Sequence, residues 1–157
     1  MKNYFIYKMP VGKIALAQTD GKITDITLAK NFDKKDFVKK ETRFIKKAAK
    51  QLEDYFAGKL KKFDLPLAPE GTAFQKSVWT ALTKIPYGQT RSYKDIAIAI
   101  KNPKAARAVG GANNKNPIFI VIPCHRVIGA DGSLTGYACG LGIKKRLLDI
   151  ETNTSSQ

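Results

Sequence analysis

Histidine and cysteine are scarce in this chain. Its 157 residues include one histidine, His125, and two cysteines, Cys124 and Cys139. A zinc site with four Cys or His ligands therefore cannot form unless carboxylates take part. A single disulfide is conceivable, but disulfides are rare in reducing compartments, and we expect thiols in an intracellular chain. We accordingly expect neither a bound metal nor a disulfide.

Long apolar segments are also missing. No apolar run approaches the roughly 20 residues that cross a bilayer as a helix. The first residues lead into a strand pattern and not into the apolar segment of an export signal. We therefore expect a soluble, cytoplasmic protein with no membrane partner.

Acidic residues are few as well. Thirteen Asp and Glu stand against 28 Lys and Arg, which leaves a formal net charge of +15. Such a field attracts polyanions, of which nucleic acid is the commonest in a cell and anionic membrane the second. A basic amphipathic helix with bulky aromatic residues, which would favour a membrane surface, is not found in the sequence.

The first half of the chain predicts three strands followed by a helix. Asp20-Gly21 is a typical hairpin turn, and it joins the second and third strands. The strands are expected at residues 4–7, 13–17 and 23–28. After a charged connector at 34–43, apolar residues at helical spacing predict a helix from Phe44 to Gly58. Residues 60–69 read as a linker with a short strand at 63–65.

The second half contains two capping boxes. Thr72 with Gln75, and Ser92 with Asp95, have the spacing that starts a helix. Asn102-Pro103 predicts a third helix from Lys104 to about Asn113. The two short helices separated by a tight turn are a candidate helix-turn-helix.

The third helix is composed mainly of alanine and glycine. Residues 105–112 offer one long side chain, Arg107, which we place in the middle of the helix. Such a surface permits close approach of another backbone, either a neighbouring helix or, given the net charge, nucleic acid. Composition alone leaves both alternatives open.

An apolar run, 118–122, leads through Pro123 into Cys124 and His125. A buried cysteine at a strand end with a hydrogen-bonded histidine is one explanation, because free cysteine is among the most buried residue types. The other is a nucleophile whose thiolate is generated by the adjacent base. The dipeptide by itself does not decide between them.

The surroundings of this dipeptide resemble a known family. Pro123-Cys124-His125-Arg126-Val127, preceded by Asn116-Pro117 and by residues 106–112, is similar to the O6-alkylguanine-DNA alkyltransferases, also called methylated-DNA–protein-cysteine methyltransferases. The similarity continues without gaps from about Phe74 to Glu151.

The resemblance implies an α+β fold with two domains. Residues 1–66 would form a small α/β, RNase H-like domain with a three-stranded antiparallel sheet and a structural role. Residues 70–151 would form a mostly helical domain with a winged helix-turn-helix, DNA binding and the active site. Residues 152–157 are expected to be a flexible tail.

The resemblance also assigns chemical roles. Cys124 would be the nucleophile, and His125 its base acting through a bound water. Glu151, expected to close a helix at 143–150, would orient His125, in keeping with the logic of nucleophile, base and orienting group. Tyr93 would give a proton to the leaving guanine, and Asn116 would brace the active-site turn.

The partner implied is double-stranded DNA containing O6-alkylguanine, whose damaged nucleotide must rotate out of the stack. Arg107 would fill the gap while its helix lies in the minor groove. The protein is expected to be a monomer, to use no cofactor, and to be consumed after one transfer. The remaining DNA contacts implied are Ser92, Ala105, Ala106, Gly110, Gly111 and Arg126. The substrate pocket implied is Tyr93, Val127, Tyr137 and Ala138.

Three positions depart from the family pattern. Phe119 replaces a second proline, Ala138 replaces a small polar residue, and Cys139 stands at a variable position that we interpret as structural. A lesion-binding protein without chemistry, a helix-turn-helix transcription factor and a Cys-His hydrolase are the alternatives. The transcription factor would need several base-reading side chains on its recognition helix. The range of alkyl groups and the repair of O4-alkylthymine stay open.

Overall fold

The computed structural model describes residues 1–134 and 139–155, with side chains described as far as residue 153. The chain divides into two compact units, Met1–Glu70 and Gly71–Gln157. Each unit is described by itself below. The α+β class predicted from the sequence is confirmed, because a sheet dominates the first unit and helices the second.

The sheet of the first unit contains the three predicted antiparallel strands. They are β1 (Lys2–Met9), β2 (Gly12–Thr19) and β3 (Lys22–Leu28). Asp20 and Gly21 have φ of 52° and 80°. Two successive positive φ values are typical of the tight turn that matches strand twist. A fourth strand, β4 (Val38–Lys39), pairs in parallel with β1, so the sheet order is β3-β2-β1-β4. The charged connector thus contains a short edge strand that its composition did not predict.

Helix α1 (Arg43–Phe56) packs on β1 and β2 and completes the first core. The Thr42 side chain accepts a hydrogen bond from the Ile45 N–H at 3.1 Å, which caps the helix start. Gly58, with φ of 76°, ends it as predicted. The strand predicted at 63–65 is wrong. Strand pairing occurs instead at Leu67, which forms an isolated bridge with Ile23.

Helices α2 (Ala73–Thr83) and α3 (Tyr93–Ala99) open the second unit, and each begins at a predicted capping box. Helix α4 comprises Ala106–Asn114 and begins two residues later than predicted. The reason is that the Asn102 N–H donates to the Ala97 carbonyl at 2.9 Å, with Lys101 at φ of 62°. Asn102 therefore closes α3 and does not cap α4.

A pair of short strands and one helix are the remaining elements of the second unit. Strand β5 (Arg91–Ser92) pairs in parallel with β6 (Val127–Ile128), each two residues long. Helix α5 comprises Leu141–Ser155, so Glu151 lies inside the helix and does not close it, and residues 152–155 of the predicted tail are helical. The winged helix-turn-helix stays a prediction. None of the helices in the described part of the chain has the length and apolar character needed to cross a membrane.

Candidate active site

The segment before the cysteine is a tight and strained turn. The Val121 N–H donates to the Phe119 carbonyl at 2.9 Å across Ile120, whose φ is 75°. A positive φ is a genuine outlier for a β-branched residue, and such strain persists only where the surrounding structure imposes it. Ile120 is fully buried, and burial of its side chain holds this conformation.

Asn116 braces the same turn from both sides. Its Nδ2 donates to the Ile122 carbonyl at 2.7 Å, and its Oδ1 accepts from the Ile118 N–H at 3.0 Å. The Cys124 N–H also donates to the Ile122 carbonyl, at 2.8 Å. These short-range hydrogen bonds fix the position of the Cys124 main chain at the end of the turn. Bracing is the function that the resemblance implied for Asn116.

Cys124 and His125 begin a 3₁₀ turn, Cys124–Arg126, whose three residues are all buried. Cys124 is 3% exposed. His125 Nε2 lies 2.5 Å from Glu151 Oε2, and the two side chains are 0% and 1% exposed. Helix α5 carries Glu151 to this position, so residues 26 apart in sequence form a hydrogen bond in the interior.

The electrostatics of this pair favour an ionised Glu151 and a neutral His125. Burial lowers the pKa of His125 below its usual 6.5, although the hydrogen bond to Glu151 opposes that shift. Burial alone would raise the pKa of Glu151, but hydrogen bonds from His125 and Arg126, together with the positive charge of Arg126, hold it at about 2. A carboxylate only accepts hydrogen bonds, so His125 Nε2 is the donor and Nδ1 is the basic nitrogen.

The side chain of Arg126 does not lie where the sequence analysis predicts. It was predicted to contact DNA, but it is buried, at 7% exposed. Its Nε and Nη2 donate to the two Glu151 oxygens at 2.8 and 3.0 Å, and its Nη1 donates to the Ile85 carbonyl at 2.7 Å. This guanidinium is occupied inside the protein and neutralises Glu151. Because Arg126 supplies that positive charge, His125 can stay neutral.

Lys144 was missed by the sequence analysis. It is fully buried on α5, and its Nζ donates to the Val127 carbonyl at 2.6 Å. Burial lowers the pKa of Lys144, and an electrostatic interaction with Cys124 opposes that shift. Helical periodicity could have found it, because Lys144, Leu147 and Glu151 share one face of α5.

The strand pair β5–β6 brings Ser92 and Tyr93 beside the segment that follows Cys124. Ser92 pairs with Ile128, while its side chain caps α3 by accepting from the Asp95 N–H at 3.0 Å. Tyr93 is half-buried, and its ring lies 3.8 Å from the position of a Cβ added at Gly110. The aromatic ring is therefore held against α4.

Helix α4 exposes its predicted DNA-contacting residues to different degrees. Arg107 is exposed, and it lies in the first turn and not in the middle of the helix. Ala105, Ala106 and Gly110 are half-buried. Among the described residues, a Cβ added at Gly111 would meet no atom within 4 Å beyond those of its own helix backbone and its chain neighbours. The packing of the protein therefore does not require glycine at 111.

The predicted substrate pocket is only partly described. Val127 is buried; its N–H donates to the Cys124 carbonyl and its carbonyl accepts from Lys144. Its main-chain polar groups are thus already bound within the protein. Tyr137 and Ala138 lie outside the described residues. Within residues 1–134 and 139–155, no cluster of three His, Cys, Asp or Glu side chains could hold a metal.

A buried thiol followed by a histidine that a carboxylate orients is the side-chain set of a cysteine-nucleophile protein. The chain matches the model of the 6-O-methylguanine DNA methyltransferase DNA binding domain over residues 73–153. Residues 3–69 match the ribonuclease-like domain of the same methyltransferase. The chain therefore belongs to the 6-O-methylguanine DNA methyltransferase family.

Individual relatives agree over nearly the full length. A protein of Methanosarcina barkeri named methylated-DNA–protein-cysteine methyltransferase is 54% identical over 154 residues, covering 96% of this chain and 97% of the relative. The constitutive protein of that name from Bacillus subtilis is 47% identical, covering 96% of each chain. The crystal structure of Mycobacterium tuberculosis OGT in complex with DNA aligns at a TM-score of 0.92 with 44% identity, covering 97% of this chain and 94% of that one.

Proposed function

We propose that this protein repairs DNA by direct reversal, moving the alkyl group of O6-alkylguanine in DNA onto Cys124. The family, the names of its relatives and a structural neighbour crystallised with DNA support this function. The observation that carries the chemistry is the buried thiol of Cys124 next to a neutral His125, which hydrogen-bonds the ionised Glu151. Nucleophile, base and orienting group are then all present.

The first step is removal of the thiol proton. His125 Nδ1 is the basic nitrogen, since Nε2 donates to Glu151, and it receives the proton of Cys124, directly or through a water. The resulting imidazolium is stabilised by Glu151, and a protonated Lys144, which donates to the Val127 carbonyl at 2.6 Å, would stabilise the thiolate. A thiolate is the nucleophilic form of cysteine, and adjacent positive charge favours it.

The second step is displacement at the alkyl carbon. Cys124 Sγ forms a bond to that carbon while the bond from carbon to guanine O6 breaks, and its electron pair passes to the guanine. The guanine anion takes a proton from Tyr93 Oη, and the proton on His125 restores the tyrosine. Neutralising charge as it develops on a leaving group lowers the barrier. The product is a stable thioether, so each chain acts once.

DNA binding completes the proposal. Guanine O6 is inaccessible to a buried thiol within a base stack, so the damaged nucleotide rotates out at a cost of a few kcal/mol. Arg107 fills the space that it leaves. Gly111 supports close contact with DNA, because no neighbouring atom of the described residues lies within 4 Å of where its Cβ would be. Ser92, Ala105, Ala106 and Gly110 would complete the contact, with Val127, Tyr137 and Ala138 in the base pocket.

We further propose that residues 70–151 perform both binding and chemistry, whereas residues 1–66 have a structural role. The protein would act as a monomer in the cytoplasm. The division of roles between the two domains is supported by the extent of the two family matches, of which only the one at residues 73–153 is a DNA binding domain.

The test is the intact mass of the protein after incubation with a duplex that contains one O6-methylguanine. We expect a gain of one methyl group per chain, located on Cys124 by peptide mapping. Cys124→Ser should gain none, and Cys139→Ser should react like the wild type. A methyl group on Cys139, or repeated turnover, contradicts the proposal. Binding of the duplex with no gain in mass would favour a lesion-binding protein without chemistry.

A further inference from the structure

The last turn of α4 holds a second asparagine against the active-site turn. Asn113 is 2% exposed, and its Nδ2 donates to the Cys124 carbonyl at 3.3 Å. The Val127 N–H donates to the same carbonyl. The main chain of the nucleophile is thus held by one donor from its own 3₁₀ turn and one from α4.

The end of α4 from which Asn113 projects is itself anchored. Trp79, on α2, donates its Nε1–H to the Ala112 carbonyl at 2.9 Å, and both residues are buried. The helix that carries Arg107 at its first turn therefore contacts the main chain of Cys124 through its last turn. A fixed helix end makes a better reference point for a nucleophile than a surface loop, because its atoms move less.

The two ends of the Asn113 amide are used differently. No donor among the described residues reaches Asn113 Oδ1, although this oxygen is buried. A leucine of similar volume would fill the same core space without leaving an amide oxygen in it. Most buried amides have partners for both ends, and an exception needs a reason. The Nδ2 contact with Cys124 is such a reason.

We propose that Asn113 is a positioning residue for the transfer reaction, one that ties the DNA-contacting helix α4 to the main chain of Cys124. The inference rests on the proposed function, since positioning matters only if Cys124 reacts. Asn116 fixes the turn before the nucleophile, and Asn113 fixes the nucleophile itself. Small errors in the placement of a reacting atom lower its rate without weakening binding of the substrate.

The experiment compares Asn113→Leu and Asn113→Asp with the wild type. Both side chains are close to asparagine in size; leucine cannot donate to the Cys124 carbonyl, and aspartate cannot do so while it is ionised. Asn114→Leu and Asn114→Asp are matched controls, because Asn114 is the exposed neighbour on the same helix. For each variant we measure single-turnover transfer at saturating duplex across pH, the Kd for the duplex, the Tm, and the rate at which iodoacetamide labels Cys124 without DNA.

Asn113→Leu should slow saturating transfer by about tenfold or more, with unchanged Kd and a folded population at the assay temperature. Asn113→Asp should slow it further at neutral pH and recover partly at higher pH, because its carboxylate disfavours the thiolate. In Asn113→Asp, the rate of iodoacetamide labelling of Cys124 should likewise fall at neutral pH and recover partly at higher pH. Both Asn114 variants should behave like the wild type.

Several outcomes overturn the inference. These are wild-type transfer in both Asn113 variants, a loss that follows only the Tm, or a loss confined to the Kd. If Asn113→Leu does not fold, the pH dependence of transfer and labelling in Asn113→Asp alone tests the inference. A wild-type protein that gains no methyl group refutes the proposed function instead, and the labelling rates then still report whether Asn113 positions Cys124.

Discussion

The two units of the chain differ in the kind of polar group that they bury. In the first unit the buried polar residues are neutral: Asn3, Gln18 and Thr24. In the described part of the second unit they include four ionisable residues, His125, Arg126, Lys144 and Glu151. Burial of charge is unfavourable unless it is paired and hydrogen-bonded. The four residues surround or adjoin the Cys124 turn. The unfavourable free energy of burying these ionisable groups therefore falls, in the described residues, at the candidate active site.

The comparison separates two ways of building a core. The first unit is stabilised by apolar side chains that form a continuous buried run, Ile14 to Ala17, in β2 and that repeat at helical spacing along α1, both visible in sequence. The second unit adds a polar network whose members depend on one another. Loss of one partner there should affect both stability and chemistry, whereas a loss in the first core should affect stability alone.

The largest expected effect is that of Arg126→Met. Removing the guanidinium leaves Glu151 buried without its cationic partner, which should lower the free energy of unfolding by about 4 kcal/mol. Urea denaturation measures the free energy of unfolding. Arg146→Met is the control, because Arg146 is exposed on α5. The duplex affinity of the folded fraction should be unchanged. A Kd that rises while stability is retained would restore the DNA contact first predicted for Arg126.

The matching change in the first unit is Leu52→Ala. Leu52 is fully buried on α1, so its truncation should lower the free energy of unfolding by about 3 kcal/mol. Val38→Ala, at an exposed position, should change it by less than about 0.5 kcal/mol. The labelling rate of Cys124 by iodoacetamide in folded protein should not change. A slower labelling rate would show that the reactivity of Cys124 depends on the core of the first unit.

Acid should destabilise the protein through Glu151. Its pKa is about 2 in the folded protein against an ordinary 4.5, so the carboxylate stabilises the fold above pH 4.5, and this contribution disappears as pH falls toward 2. The amount is about 3 kcal/mol. The lowered pKa of His125 acts in the same direction below 6.5. Urea denaturation between pH 7 and pH 3 should show that the free energy of unfolding falls less steeply in Glu151→Gln than in the wild type. Parallel curves of unfolding free energy against pH for the two proteins would contradict this account.

Glu151→Gln should also slow methyl transfer by about a hundredfold, because His125 loses the carboxylate that orients it and stabilises its charged form. Single-turnover transfer from an O6-methylguanine duplex measures this effect. Asp149→Asn is the matched control, since Asp149 is an exposed acid on the same helix paired with Lys145. Equal transfer by the wild type and Glu151→Gln would remove Glu151 from the mechanism.

The smallest effect is expected at the DNA surface. Arg107→Ala should slow transfer on duplex DNA by about tenfold, because nothing then fills the space of the rotated nucleotide. Reaction with a free O6-alkylguanine base should be nearly unchanged, since a free base needs no rotation. Lys104→Ala is the control, because Lys104 is also an exposed cation and lies two residues before the start of α4. Equal slowing of both reactions would place Arg107 in the chemistry.

Local signals predicted most of the secondary structure. Asp20-Gly21 predicted its hairpin, and the capping boxes at Thr72 and Ser92 predicted two helix starts, because each signal acts within four residues. Local reasoning was wrong at Asn102, whose N–H closes the preceding helix. It also missed β4, since two residues of a charged connector carry no strand pattern of their own.

The sequence by itself determined the fold class, the family and the candidate pair Cys124-His125, because these follow from short-range patterns along the chain. Only the tertiary structure decided that Arg126 binds Glu151 inside the protein, that the buried Lys144 donates to the Val127 carbonyl, and that Asn113 donates to the Cys124 carbonyl. A Lys, Arg or Asn can equally face solvent, DNA or the interior. Which of these it does depends on partners that folding brings from distant parts of the chain.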